Sequence, residues 1–168
     1  MRPHVRRAVP GDGPVILSLV RALADYEKLA PPDAPAQERL LNDLFGARPR
    51  LECHLGECDG VTAGYAFVFE TYSSFLALPT LYLEDLFVLP GYRDRRVGST
   101  LFRAMVALAY DRGCGRMEWS VLDWNRPAIE FYERLGARHM KEWLLYRLLR
   151  EDMSKIVLPG GAKPPEPV

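Results

Sequence analysis

The sequence predicts an α/β (α+β) fold, a mixed and mostly antiparallel sheet with flanking helices, and three features carry that expectation. Two strand-prone runs, 51–57 and 61–70, flank Cys58-Asp59-Gly60, where the Asp-Gly pair marks the tight turn of a hairpin. A third apolar run, Leu81–Leu89, must end at Pro90-Gly91, because proline cannot donate to a ladder and glycine permits a turn. Beyond it Val97, Leu101, Met105 and Leu108 recur at helical spacing until Gly113 stops the pattern, which places a helix from Gly98 to about Arg112.

The remaining elements follow in order. Val5 to Ala8 reads as a short strand, and Gly11-Asp12-Gly13-Pro14 as the capped start of a helix whose Ile16, Leu19, Val20 and Leu23 share one face. Asp25-Tyr26-Glu27-Lys28 closes that helix near Ala30, and Pro31, Pro32 and Pro35 predict a loop before a second helix over about Glu38 to Phe45. After the Gly98 helix come a strand over Arg116 to Leu122, a short helix over Pro127 to Leu135 ended by Gly136, and two final strands within Ala137 to Arg150. Residues 1–152 are expected to form a single domain. Residues 153–168 form an extension whose stretch from about Pro159 lacks apolar anchors and is expected to be disordered.

Composition bounds the function. The chain has 168 residues, 48% hydrophobic and 26% charged, enough to bury about two-thirds of its extended surface in one domain. Its 22 basic and 22 acidic residues cancel, so no overall field favours nucleic acid, while a local basic loop still suits a small anion. Runs such as Tyr65-Ala66-Phe67-Val68-Phe69 are too short to cross a bilayer, which takes about 20 residues as a helix. The basic start, Met1 to Arg7, leads into a polar turn rather than the apolar core of a signal peptide, so a cytoplasmic protein with no membrane partner is expected. Cys53, Cys58 and Cys114 are odd in number and lack paired spacing, and His4, His54 and His139 are scattered; reduced buried thiols and no metal are expected.

The residues with chemical promise lie between Leu81 and Ser99. Adjacent carboxylates, Glu84 and Asp85, sit in an apolar strand, and an arginine-rich loop follows with Gly98 opening a helix. Unpaired N–H groups at that helix start, the positive end of its dipole and Arg93, Arg95 and Arg96 make Arg93–Ser99 a candidate pyrophosphate cradle. On these residues alone a solvated basic turn fits equally well, since one glycine is neither a Rossmann fingerprint nor a P-loop.

Several separated motifs give the loop a context: Ala24-Asp25-Tyr26-Glu27-Lys28, Leu81 to Val88, Tyr92-Arg93 through Val97-Gly98-Ser99, and Trp124-Asn125-Arg126-Pro127 followed by Phe131-Tyr132 and Gly136-Ala137. With them the chain resembles the GNAT acetyltransferase superfamily, and within it the spermidine/spermine acetyltransferase branch, across residues 4 to 150. The resemblance implies a sheet splayed between the Glu84 strand and the Arg116 strand, two central parallel strands, with acetyl-CoA in the wedge. It implies acetyl-CoA contacts at Leu86, Phe87, Val88, Arg93, Asp94, Arg95, Arg96, Val97, Gly98, Ser99 and Asn125. The chain departs from the family's R-x-x-G-x-G pattern. Arg93 and Gly98 match, but Arg96 stands at the intermediate glycine and Asp94 replaces another common glycine. A side chain at 96 either resists a left-handed backbone or grips a phosphate.

By the same resemblance Glu84 is the general base, directly or through water, because an alkyl ammonium of pKa about 10.4 must lose a proton to be acetylated. Tyr132 stands at the position of the acid that protonates the departing thiolate, and Tyr26, Glu27, Asp85 and Glu142 at or beside positions that surround a cationic amine. Each has a plainer structural reading: Glu84 as a strand-edge carboxylate, Tyr132 as a core-edge tyrosine, Trp119 and Trp124 as packing residues. The expected activity is direct acetyl transfer, in a ternary complex, to a primary amine of a small polycation such as a diamine, polyamine or lysine-like amine. A homodimer is implied. A non-catalytic acyl-CoA-binding or regulatory module is the competing expectation, motivated by Asp94 and Arg96, and a generic nucleotide-binding domain ranks behind both.

Overall fold

The computed structural model describes residues 2–157, so the expected disorder from Pro159 lies outside the described residues. The described chain runs β1 (His4–Arg7), α1 (Gly13–Glu27), α2 (Ala34–Phe45), β2 (Glu52–Cys58), β3 (Val61–Ser73), β4 (Leu78–Val88), α3 (Val97–Asp111), β5 (Arg116–Glu118), α4 (Arg126–Arg134) and α5 (Arg150–Val157). The strands form one sheet in the order β1-β2-β3-β4-β5, antiparallel throughout except for β5, which runs parallel to β4. No described helix is long and apolar enough to cross a membrane.

The chain divides into two compact units, Met1–Ser120 and Val121–Val168. In the first, β2 and β3 turn at Asp59 and Gly60, both at positive φ (53° and 78°), the geometry that makes an Asp-Gly pair the preferred hairpin turn. On one sheet face Ile16 and Leu19 of α1 and Leu44 of α2 pack in a buried cluster with Leu55, Tyr65, Phe67 and Phe87. The opposite face takes α3. A Cβ added to Gly56 would stand 2.9 Å from both Val97 and Leu101, so this glycine lets the helix lie close to the strand.

Three local expectations are corrected. Pro35 does not break the chain but sits in the first turn of α2, where its missing N–H is not needed; the Asp33 carboxylate caps that helix by accepting from the Ala36 N–H at 2.9 Å. The Arg116 strand pairs with β4 only from Thr80↔Arg116 to Tyr82↔Glu118, and β5 is the edge of the described sheet rather than a central strand. The two final strands over Ala137 to Arg150 do not form. An extended segment becomes a strand only by pairing, no ladder exists within 121–157, and the described residues there close with α5 instead. Trp143, Leu144, Leu145 and Tyr146 are exposed along that segment.

In the second unit α4 begins as the sequence suggests, with the Asn125 carboxamide accepting from the Ala128 N–H at 3.4 Å and Pro127 in the first turn. Gly136, at φ 90°, follows its end.

Candidate active site

The site is built by an irregularity in β4. Phe67 stands opposite Asp85 and Val68 opposite Leu83, so Glu84 is an extra residue with no partner across the ladder. Such a bulge redirects side chains. Leu83 and Phe87 are buried, Glu84 is exposed, and Asp85 comes to lie beside Tyr65 on the strand opposite. The Tyr65 hydroxyl donates to Asp85 Oδ2 at 2.9 Å.

Two carboxylates of this corner are held above their ordinary values. Asp85 is pushed up to about 6, mainly by burial and further by the fields of Glu84 and Glu27, with the Tyr65 hydrogen bond pulling the other way. Burial raises Glu27, at the end of α1, as well. Beside them the Tyr26 ring lies 6.5 Å from that of Phe87, and the Arg93 guanidinium stacks 4.5 Å from the Tyr26 centroid. Arg93 Nε donates to the Val88 carbonyl at 3.2 Å, tying the loop after β4 back to the strand.

Next to this corner the sheet opens. Because β5 stops pairing at Tyr82↔Glu118, the edge of β4 over residues 83–88 faces no strand among the described residues, while its other edge stays paired with β3 as far as Gly64↔Val88. Trp119 leaves the sheet to pack edge-on against Phe102, ring centres 5.4 Å apart, which confirms its packing role. Trp124 is half exposed.

The loop into α3 shows how the chain manages without the family's glycines. Arg96 adopts the left-handed conformation (φ 65°) as the N-cap, and Asp94 also has positive φ (21°); for an L-residue that costs about 1 kcal/mol or more. The first helical amide bond is Thr100 N–H to the Arg96 carbonyl at 2.9 Å, an oxygen that also receives the Ser99 and Thr100 hydroxyls. The amides of Val97, Gly98 and Ser99 therefore precede the helical ladder and point from the positive end of the dipole. A Cβ at Gly98 would meet Val88 at an ordinary 3.5 Å, so glycine leaves the backbone bare there rather than relieving a clash. Arg95 pairs with Asp59 at 3.3 Å and stacks over Tyr92, which anchors the loop to the hairpin turn.

Of the residues selected from sequence, Tyr26, Glu27, Glu84 through Val88 and Arg93 through Ser99 fall together in the first unit. Asn125, Tyr132 and Glu142 belong to the second. The Asn125 side chain caps α4, Glu142 is exposed, and burial pushes the Tyr132 hydroxyl up to about 12, which keeps it protonated near neutrality. Sequence reasoning missed Tyr65. A tyrosine inside an apolar run reads as core; in the ladder Tyr65 stands opposite Phe87 and reaches Asp85 diagonally with its hydroxyl.

Residues 18–137 match the acetyltransferase (GNAT) family. The chain is 35% identical to thialysine N-epsilon-acetyltransferase of Sus scrofa over 90% of its own length and 95% of the relative's. It is 31% identical to L-ornithine N5-acetyltransferase of Arabidopsis thaliana over 93% of its length and 88% of the relative's. It is 30% identical to spermidine/spermine N(1)-acetyltransferase-like protein 1 of Homo sapiens over 89% of its length but only 23% of that longer protein. A crystal structure of a probable acetyltransferase superposes with a TM-score of 0.76 at 20% identity, covering 89% of this chain and 97% of that one, and supports the fold. A five-stranded mixed sheet with a bulged, half-open fourth strand, a family match over most of the chain and this identity to named acetyltransferases agree: the protein belongs to the GNAT acetyltransferase family.

Proposed function

We propose that this acetyltransferase acts on a primary amine of a small polycation, a diamine, polyamine or lysine-like amine, by direct transfer from acetyl-CoA in a ternary complex. The observation that carries the proposal is the exposed Glu84 on the β4 bulge, set beside the half-buried Asp85 at the point where the β4 edge opens. Thialysine, ornithine and spermidine, named in three of the relatives, each bear more than one amino group, which suits a corner where Glu27, Glu84 and Asp85 make no ion pair among the described residues.

Acetyl-CoA supplies an activated acyl thioester, and the residues present fit it. The open edge over Leu86, Phe87 and Val88 offers backbone groups to an amide-bearing pantetheine arm. The amides of Val97, Gly98 and Ser99, behind the loop of Arg93, Asp94, Arg95 and Arg96, suit a pyrophosphate. Glu84, directly or through one water, takes the proton that the attacking nitrogen sheds as the new amide bond forms. Tyr132 gives its proton to the sulfur as the carbon–sulfur bond breaks, and solvent restores both groups. Tyr26, Glu27 and Asp85 hold the rest of the polycation.

In this reading residues 1–152 act as one catalytic domain with 153–168 as an extension, and the protein works as a cytoplasmic homodimer. The test mixes purified protein with acetyl-CoA and a panel of diamines, polyamines, lysine analogues and monoamines, recording free thiol and acetylated product. Thiol release that depends on a polycation is expected. Binding of CoA with turnover of none of these amines would overturn the proposal.

A further inference from the structure

Tyr65 is wholly buried, packed at 4.7 Å against Phe67 and 6.4 Å from Phe87, yet its one polar atom is spent on a carboxylate of the proposed amine corner. We propose that Tyr65 is a positioning residue for amine selection: its hydroxyl clamps one oxygen of Asp85, so that the other oxygen meets the second ammonium of a dicationic substrate while Glu84 serves the reacting nitrogen. This rests on the function proposed above and adds to it the group that makes the site favour a dication over a monocation.

The geometry assigns separate work to two adjacent carboxylates. The bulge leaves Glu84 exposed and turns Asp85 to the Tyr65 side of the sheet. Only Oδ2 of Asp85 is engaged; Oδ1 receives no hydrogen bond from any described residue and is not sealed from solvent. The clamp is permanent across the working pH range, since burial and the neighbouring carboxylate hold the Tyr65 phenol far above its ordinary value. A carboxylate fixed by a buried donor presents its free oxygen in one direction, and a cation docking there loses little further freedom.

The charges around Asp85 all ask for a cation. Glu84 stands beside it on β4 and Glu27 faces it from α1, both adding negative potential. From β2 comes Cys53, whose thiol burial pushes up to about 12 and keeps neutral. The positive group in the corner, Arg93, is stacked on Tyr26 and hydrogen-bonded to Val88 rather than paired with an acid. Burial and these neighbours favour the neutral acid, whereas the Tyr65 bond favours the charged one. Removing the hydroxyl therefore leaves Asp85 protonated to higher pH and deprives the second ammonium of its partner.

The test compares kcat/KM for 1,3-diaminopropane and for propylamine, from pH 5.5 to 8.5, in the full chain, in Tyr65→Phe and in Asp85→Asn. Phenylalanine fills the same aromatic site, and a thermal melt confirms the fold. The expected result is a fall of about tenfold in the diamine-to-monoamine ratio for Tyr65→Phe at pH 7, expressed in the diamine KM. The acid limb of that ratio, near pH 6 in the unaltered protein, moves upward. Asp85→Asn, which removes the charge but keeps an acceptor, lowers the ratio at least as far, and the double variant falls no further. A folded Tyr65→Phe with an unchanged ratio, or one that loses both substrates equally, overturns the inference. Failure of the unaltered protein to acetylate any amine would instead overturn the function on which it rests.

Discussion

The two halves of β4 have the same strand backbone and opposite fates. From Thr80 to Tyr82 the strand is paired on both edges, with β3 on one side and β5 on the other, and Leu81 is wholly buried. From Leu83 to Val88 it keeps only β3, and one extra residue, Glu84, breaks the alternation. In the first half both ladder edges are taken, which leaves no open backbone edge to bind with. The second half has an edge that faces no strand among the described residues, an exposed carboxylate and a half-buried one, and a bare helix start beside Val88. The contrast teaches that the groups proposed for the chemistry gather where the ladder stops.

Substitutions can break that comparison or sharpen it. Glu84→Gln, in the open half, is expected to cost about a thousandfold in kcat while leaving the melting temperature within about a degree, read by thiol release and calorimetry. Leu81→Ala, in the closed half, is expected to do the reverse, losing about 3 kcal/mol of stability in denaturant titration with kcat per folded molecule retained. Equal effects of both on stability and turnover would erase the distinction.

A smaller effect comes from the charge held at the boundary. Asp85 has a folded value of about 6 against an ordinary 3.8, so the folded state resists its ionisation. That penalty is complete above pH 6 and absent below about pH 4, where the acid is neutral in both folded and unfolded chains. Asp85→Asn is therefore expected to raise the melting temperature at pH 7.5, with the gain fading as the pH falls to 4. A gain that is constant with pH would remove burial of charge as its cause. The smallest effect is expected from Arg96→Gly, which relieves a left-handed arginine at φ 65° but loosens the unfolded chain, for a net gain of about 0.5 kcal/mol.

Much of this was legible in the residues. Asp59-Gly60 marked the hairpin and Gly113 the end of α3, and the carboxylate pair, Pro90-Gly91 and the arginine loop marked the segment in which the structure has its bulge and its open edge. Pro35 was misread because proline breaks a helix interior but favours a first turn, and the difference depended on Asp33 acting as the cap. The final strands were misread because Trp143, Leu144 and Leu145 satisfy a strand's composition without supplying a partner edge. Tyr65 stayed hidden for a third reason. Its role depends on a register shift set by the whole β3–β4 ladder, and no local pattern around position 65 encodes it.

The central claim, that the unpaired half of β4 and the start of α3 hold acetyl-CoA, is tested most directly by amide hydrogen exchange with and without CoA. The account predicts that CoA slows exchange within residues 83–88 and at Val97, Gly98 and Ser99, and leaves Thr80 to Tyr82 unchanged. Protection confined to other segments, with 83–88 and 97–99 exchanging as in the free protein, would contradict it.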